Sequence, residues 1–174
     1  MHNGFTLLTD HTGQMYLAAV LSLFFMLALS HRFLLLFFVL ALPATLAHEL
    51  THLFFGWLSN GRPAGFTLVP RRKGGRYVLG AVTCRNVRWY NGLLIGLAPL
   101  ALLPFAVILF RWRSQSMTAF DLTEIGWVYG ITCLTLAALP SWQDMKVALV
   151  SSWLLLLLTA AAILLWHLGY FPPY

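Results

Sequence analysis

Five consecutive residues, His48-Glu49-Leu50-Thr51-His52, set two imidazoles four positions apart with a carboxylate beside the first. On a helix, positions i and i+4 share one face, so both imidazoles can reach one metal ion. Glu49 lies about 100° round that helix from His48, where it can hold a water on the metal rather than bind the metal itself. Three ionisable groups in an apolar stretch are costly in lipid unless they are paired or face a cavity, and a divalent cation supplies such a partner. The competing reading is a polar patch snorkelling toward water at a helix end. Catalytic zinc takes three protein ligands and keeps one position open, so a third ligand is needed. The acids outside the motif are Asp10, Asp121, Glu124 and Asp144.

The chain that must position these groups has 174 residues, 60% hydrophobic and only 9% charged, with a mean hydropathy of +0.78. Soluble domains carry about a quarter charged residues, so lipid is the expected solvent, and disordered, collagenous and disulfide-stapled classes are excluded. The expectation is one integral membrane domain over residues 1–174: all-α, polytopic, with about five transmembrane helices. The formal charge of +6 marks cytoplasmic loops and not a nucleic-acid partner. Cys84 and Cys133 lack a CxxC partner and suggest neither a thiolate zinc site nor a disulfide framework.

Five apolar runs are legible: 15–30, 33–58, 90–110, 122–139 and 147–168. The first could also be a signal peptide, with Ala28-Leu29-Ser30 as a cleavage site, but Asp10 and the lack of Lys or Arg before it favour a retained helix. Between runs two and three the chain turns polar and basic. There, residues 66–70 and 77–83 flank Lys73-Gly74-Gly75, a β-hairpin signal. Tryptophans at 57, 89, 112, 142 and 166 fall near run ends, as interfacial anchors do.

With five spans, one side of the membrane holds the seven basic residues of the long loop plus Lys146, and the other holds Arg32, Arg111 and Arg113. The positive-inside rule then places the N-terminus, the hairpin and the Asp144 turn in the cytoplasm. His48 and His52 occupy the half of the second run nearest that face. Asp144 lies on the same face, whereas Asp121 and Glu124 lie on the other, and Asp10 belongs to an N-terminal tail. Asp144 also follows the helix-breaking Pro140-Ser141, which lets it point inward, and it is the expected third ligand. Its competing role is a helix-start carboxylate that complements the dipole.

His48-Glu49-Leu50-Thr51-His52 in a hydrophobic helix, a basic β-hairpin after it, and a distal Pro140-x-x-x-Asp144 together resemble the site-2 proteases, a family of intramembrane zinc metalloproteases. The resemblance covers about residues 33–150, the expected catalytic core. Met145 and Lys146 follow Asp144 where that family often has Gly, so the chain looks like a divergent, minimal member without a regulatory domain. The resemblance implies one zinc ion per chain on His48, His52 and Asp144, with Glu49 as general base and acid. It further implies a membrane-protein substrate, an inner-membrane location with the active-site face cytoplasmic, and for Asn91 a part in holding substrate or the oxyanion. A helix N-cap is the equal alternative for Asn91. The hairpin could take an extended substrate strand on its edge, or rest on anionic headgroups. The alternative function is a non-proteolytic metal-binding membrane protein, a sensor, transporter or assembly factor. A transporter, however, should carry ligands on several helices, and an inactive homologue would lose Glu49 or a histidine.

Overall fold

A computed structural model describes residues 11–30, 33–73, 76–117 and 120–169. The helices are α1 (His11–Leu29), α2 (Leu34–Leu58), α3 (Gly92–Gly96), α4 (Leu102–Ser116), α5 (Leu122–Ala137), α6 (Trp142–Ser151) and α7 (Trp153–His167). Four short strands, β1 (Pro63–Thr67), β2 (Arg71–Lys73), β3 (Arg76–Val78) and β4 (Ala81–Cys84), lie between α2 and α3.

Among the described residues, two helices are long and apolar enough to cross a membrane, α1 and residues Leu35–Leu58 of α2. A third span results if α5 and α6, bent by 41° at their break, count as one. The chain is therefore mostly helical with two to three candidate spans, and the five-helix expectation is reduced accordingly. The third run fails as a continuous span because α3 ends after five residues and a 3-10 turn with Pro99 at its start (Ala98–Ala101) precedes α4. Proline has no N–H to give to the preceding turn and clashes with it, so the helix restarts beyond. The fifth run is divided at Ser152 into the end of α6 and the 15-residue α7.

The core lies between helix faces rich in small and β-branched residues. Tyr16 and Val20 of α1 pack on Val128 and Ile131 of α5, with Leu109 and Phe110 of α4 against them. Ala44 of α2 meets Cys133 and Ala137 of α5, and side chains this small let the two backbones approach closely. The Tyr129 hydroxyl donates to the Leu40 carbonyl at 2.7 Å and ties α5 to α2 a second time.

The hairpin is present, interrupted into two two-stranded antiparallel ladders. β1 pairs with β4, with Phe66 opposite Val82 and an irregularity between Pro63 and Gly65; β2 pairs with β3, with Arg71 opposite Val78. Pro70 ends the outer ladder on one side, since proline cannot donate to it. The expected turn at Gly74-Gly75 lies outside the described residues.

Candidate metal centre

The structure brings His48, His52 and Asp144 together, across 92 residues of chain for the last pair (144 minus 52). His48 Nε2 lies 3.3 Å from Asp144 Oδ2, His52 Nε2 lies 3.2 Å from Asp144 Oδ1, and the two Nε2 atoms are 3.2 Å apart. One donor atom from each residue fits within a mutual spacing of 4.8 Å. Metal bonds of 2.0–2.1 Å in a tetrahedron imply donor–donor edges of about 3.3 Å; the two imidazole nitrogens stand at that spacing, and each approaches its own oxygen of the Asp144 carboxylate to the same distance. Two imidazole nitrogens and one carboxylate are also the donor set that zinc accepts in catalytic sites.

Each imidazole is oriented through its other nitrogen. His48 Nδ1 lies 2.8 Å from the Ala137 carbonyl, and His52 Nδ1 lies 2.9 Å from the Ile95 carbonyl. A carbonyl only accepts, so both Nδ1 atoms carry the proton, and both Nε2 lone pairs face the shared centre. The acceptors are available for a local reason. Ala137 is the last residue of α5 and Ile95 sits in the last turn of α3. The final carbonyls of a helix have no partner within it. The break after α5 thus leaves the Ala137 carbonyl for His48, while the Ile95 carbonyl, which also accepts a backbone N–H at the C-cap of α3, meets His52 with its second lone pair.

Asp144 is positioned by the start of α6. Ser141 is the N-cap: its hydroxyl accepts from the Asp144 N–H at 3.3 Å, while the Ser141 N–H donates to Asp144 Oδ2 at 2.6 Å. This is a capping box with aspartate in place of glutamate. The two roles weighed for Asp144, ligand and helix-start carboxylate, are thus filled by one side chain. α6 is held flat on α3 by glycines spaced i, i+4. A Cβ on Gly96 would fall 2.5 Å from the Asp144 carbonyl oxygen and 2.7 Å from the Ala148 nitrogen, and one on Gly92 would strike Ser151.

Glu49 is 6% exposed and points to the hairpin side of the same helix turn. The Val82 backbone hydrogen-bonds to its carboxylate, and Gly80, in the link from β3 to β4, presses against it. A Cβ on Gly80 would lie 2.7 Å from Glu49 Cγ and 2.9 Å from its Oε1, so only glycine fits this crossing. Glu49 is not one of the three converging residues.

The remaining acids have other partners. Glu124, 1% exposed, pairs with Arg113. Asp121 is the N-cap of α5 and accepts from the Thr123 and Glu124 amides; the Thr123 hydroxyl, donating at 2.6 Å, holds its carboxyl below the usual aspartate range. Asp10 lies outside the described residues. Asn91 is 1% exposed and committed to backbone groups: its amide nitrogen donates to the Ser59 and Asn86 carbonyls at 3.1 and 2.9 Å, and its oxygen accepts from the Arg88 N–H at 2.7 Å. Asn91 occupies the N-cap position of α3, as one of its two expected roles had it, but its side chain makes no cap bond to the first turn and instead stitches the end of α2 to the start of α3. Sequence reasoning missed the Ile95 and Ala137 acceptors and the Gly92–Gly96 contact. The G-x-x-x-G spacing was the available signal for the latter.

No family model, characterised protein or solved structure matches this chain. The site is defined by its own geometry.

Proposed function

We propose that the chain is an intramembrane zinc metalloendopeptidase of site-2 protease type, hydrolysing peptide bonds of membrane-spanning or membrane-proximal substrates. One observation carries this reading: two imidazoles, each fixed by a backbone carbonyl at Nδ1, direct Nε2 toward one carboxylate, with a buried glutamate next in sequence to the first.

In this reading His48 Nε2, His52 Nε2 and the Asp144 carboxylate would hold the metal. Zinc held there supplies Lewis acidity toward water and toward the substrate carbonyl. Glu49 takes a proton from the attacking water as the new C–O bond forms at the carbonyl carbon. It then returns that proton to the amide nitrogen as the C–N bond breaks, leaving a carboxylate and an amine. The link at Gly80 and the Val82 amide position Glu49 from the hairpin side and exclude bulk water from its carboxylate. Asn91 acts through the loop it holds and not on the reacting atoms. The excess of Lys and Arg in the 62–88 segment supports a cytoplasmic active-site face, in an inner membrane.

The test separates binding from chemistry. Purified Glu49→Gln retains about one zinc per chain and loses cleavage of single-span substrates, whereas His48→Ala and Asp144→Ala lose both. Equal zinc loss in Glu49→Gln and His48→Ala contradicts the assignment. In a background lacking Cys84 and Cys133, Phe33→Cys and Arg71→Cys, on either side of the Leu35–Leu58 span, label from opposite sides of the membrane with Arg71→Cys cytoplasmic; labelling from one side refutes the orientation.

A further inference from the structure

The end of α2 carries a second cluster of chemistry, unrelated to the histidines. A cavity of about 530 Å³ is lined by Arg62, Pro63, Ala64, Arg85, Asn86 and Arg88. Its three guanidiniums are held on a hydrogen-bonded platform. The Arg85 N–H donates to the Arg62 carbonyl at 3.1 Å, the Asn86 N–H to the Gly61 carbonyl at 2.9 Å, and the Asn86 side chain to the Asn60 carbonyl at 2.7 Å. Arg88 Nε donates to Asn86 Oδ1 at 2.8 Å, so its terminal nitrogens are not used by this bond. Asn60 and Arg62 adopt positive φ, 58° and 51°, so the turn that presents Arg62 is sharp and defined.

Three arginines line this one cavity, and the described chain gives them no counter-charge. Glu49 faces the Gly80 link, Asp144 the two histidines, Asp121 the start of α5, and Glu124 is paired with Arg113. Among the described residues no carboxylate lies within ion-pair distance of Arg62, Arg85 or Arg88. The depth of the cavity points to the ligand. Arg62 stands four residues beyond the end of the Leu35–Leu58 span, and Trp57, Trp89 and Tyr90 beside the cluster are exposed, as aromatic anchors at headgroup level are. An apolar groove formed by Phe55, Tyr90, Leu93, Leu94, Leu97 and Ala101 runs along the same two segments and can take an acyl chain.

We infer that Arg62, Arg85 and Arg88 form a binding site for the phosphate of an anionic phospholipid headgroup. Arginine presents a planar fork that matches phosphate oxygens two at a time, and the desolvated margin of the headgroup region strengthens each such bond. This site is separate from the metal centre and stands or falls without it.

The full chain in neutral detergent micelles, titrated with short-chain phosphatidylglycerol, the matching phosphatidylcholine and inorganic phosphate, tests the inference through tryptophan fluorescence and lipid retained in native mass spectra. Phosphatidylglycerol is expected to bind roughly tenfold or more tighter than phosphatidylcholine, less so as salt rises. Arg62→Gln/Arg85→Gln/Arg88→Gln should remove at least about tenfold of that affinity, while the charge-matched Arg71→Gln/Arg72→Gln/Arg76→Gln changes it less than about threefold. Equal losses in the two triple variants would show diffuse attraction to the basic loop and overturn the site. Inorganic phosphate binding as tightly as phosphatidylglycerol would overturn the lipid source. Should the first triple variant fail to fold, the wild-type comparison decides alone, since equal affinity for the two lipids overturns the inference.

Discussion

Gly96→Ala is the smallest perturbation that reaches the metal centre without touching a ligand. The added methyl would lie 2.5 Å from the Asp144 carbonyl oxygen, 2.7 Å from the Ala148 nitrogen and 2.8 Å from the Ala148 Cβ. Ordinary contact begins near 3.5 Å, so α6 must retreat from α3 by about 1 Å. Overpacking of this kind costs about 1–3 kcal/mol, partly offset by the 0.5–1 kcal/mol that alanine gains over glycine in a helix. The larger effect is on the site. Asp144 rides on α6, whereas His52 is fixed to the Ile95 carbonyl of α3, so the same retreat separates the carboxylate from the imidazole. Metal sites tolerate displacements of only about 0.2 Å, and a 1 Å misplacement near reacting groups costs about 100-fold in rate. Zinc affinity under buffered free zinc, thermal melting and cleavage are the three readouts. Gly130→Ala is the control, because a methyl there meets nothing within 4 Å and should only add helix propensity. Wild-type zinc affinity and cleavage in Gly96→Ala would refute the coupling of α3 to the site.

Three further substitutions divide the site into its parts. Gly80→Ala drives a methyl into Glu49 and not into a ligand, so zinc per chain should stay at the wild-type level while kcat falls by tenfold or more; loss of zinc would place Gly80 differently. Asn91→Ala leaves the Arg88 N–H and two carbonyls without their partner and should lower stability by about 1–3 kcal/mol, read as melting temperature. An unchanged melting temperature with reduced kcat would instead return Asn91 to the reacting atoms. Glu124→Ala removes the partner of Arg113 inside the helix bundle and should lower the melting temperature by several degrees without changing zinc per chain in the folded protein.

The three converging residues were legible because their signals are local or scarce. The 48–52 spacing encodes one helix face whatever surrounds it, and Asp144 stood out as one of few acids in an apolar chain, placed just after a proline. What could not be read is carried by the backbone. The Ile95 and Ala137 carbonyls have no side-chain identity, and they become acceptors only because α3 and α5 stop where they do. Pro99 is the kind of residue that disturbs a helix, but its presence alone does not say that the third run divides into a five-residue helix, a 3-10 turn and α4. Asparagine suits both substrate binding and an N-cap, and its type alone does not foretell that Asn91, at the N-cap position of α3, spends its side chain on three backbone groups of the preceding loops. The hairpin was recognised from β-prone runs, while its division into two ladders depended on register that Pro70 alone did not specify.

The capping box at Ser141 has a consequence for the time-dependence of the molecule. Asp144 Oδ2 faces His48 and also accepts the Ser141 N–H, so the carboxylate that meets the imidazoles is the one that starts α6. Any cation that draws on this oxygen tightens the joint between α5 and α6, and removing it lets the joint open more often with the fold intact. Amide hydrogen exchange at Ser141 and Asp144 therefore serves as a clock for site occupancy: at a ligand concentration 100 times its Kd, opening that requires release is rarer by about 100-fold. The first turn of α6 can thus report the state of a centre whose ion has no spectrum of its own.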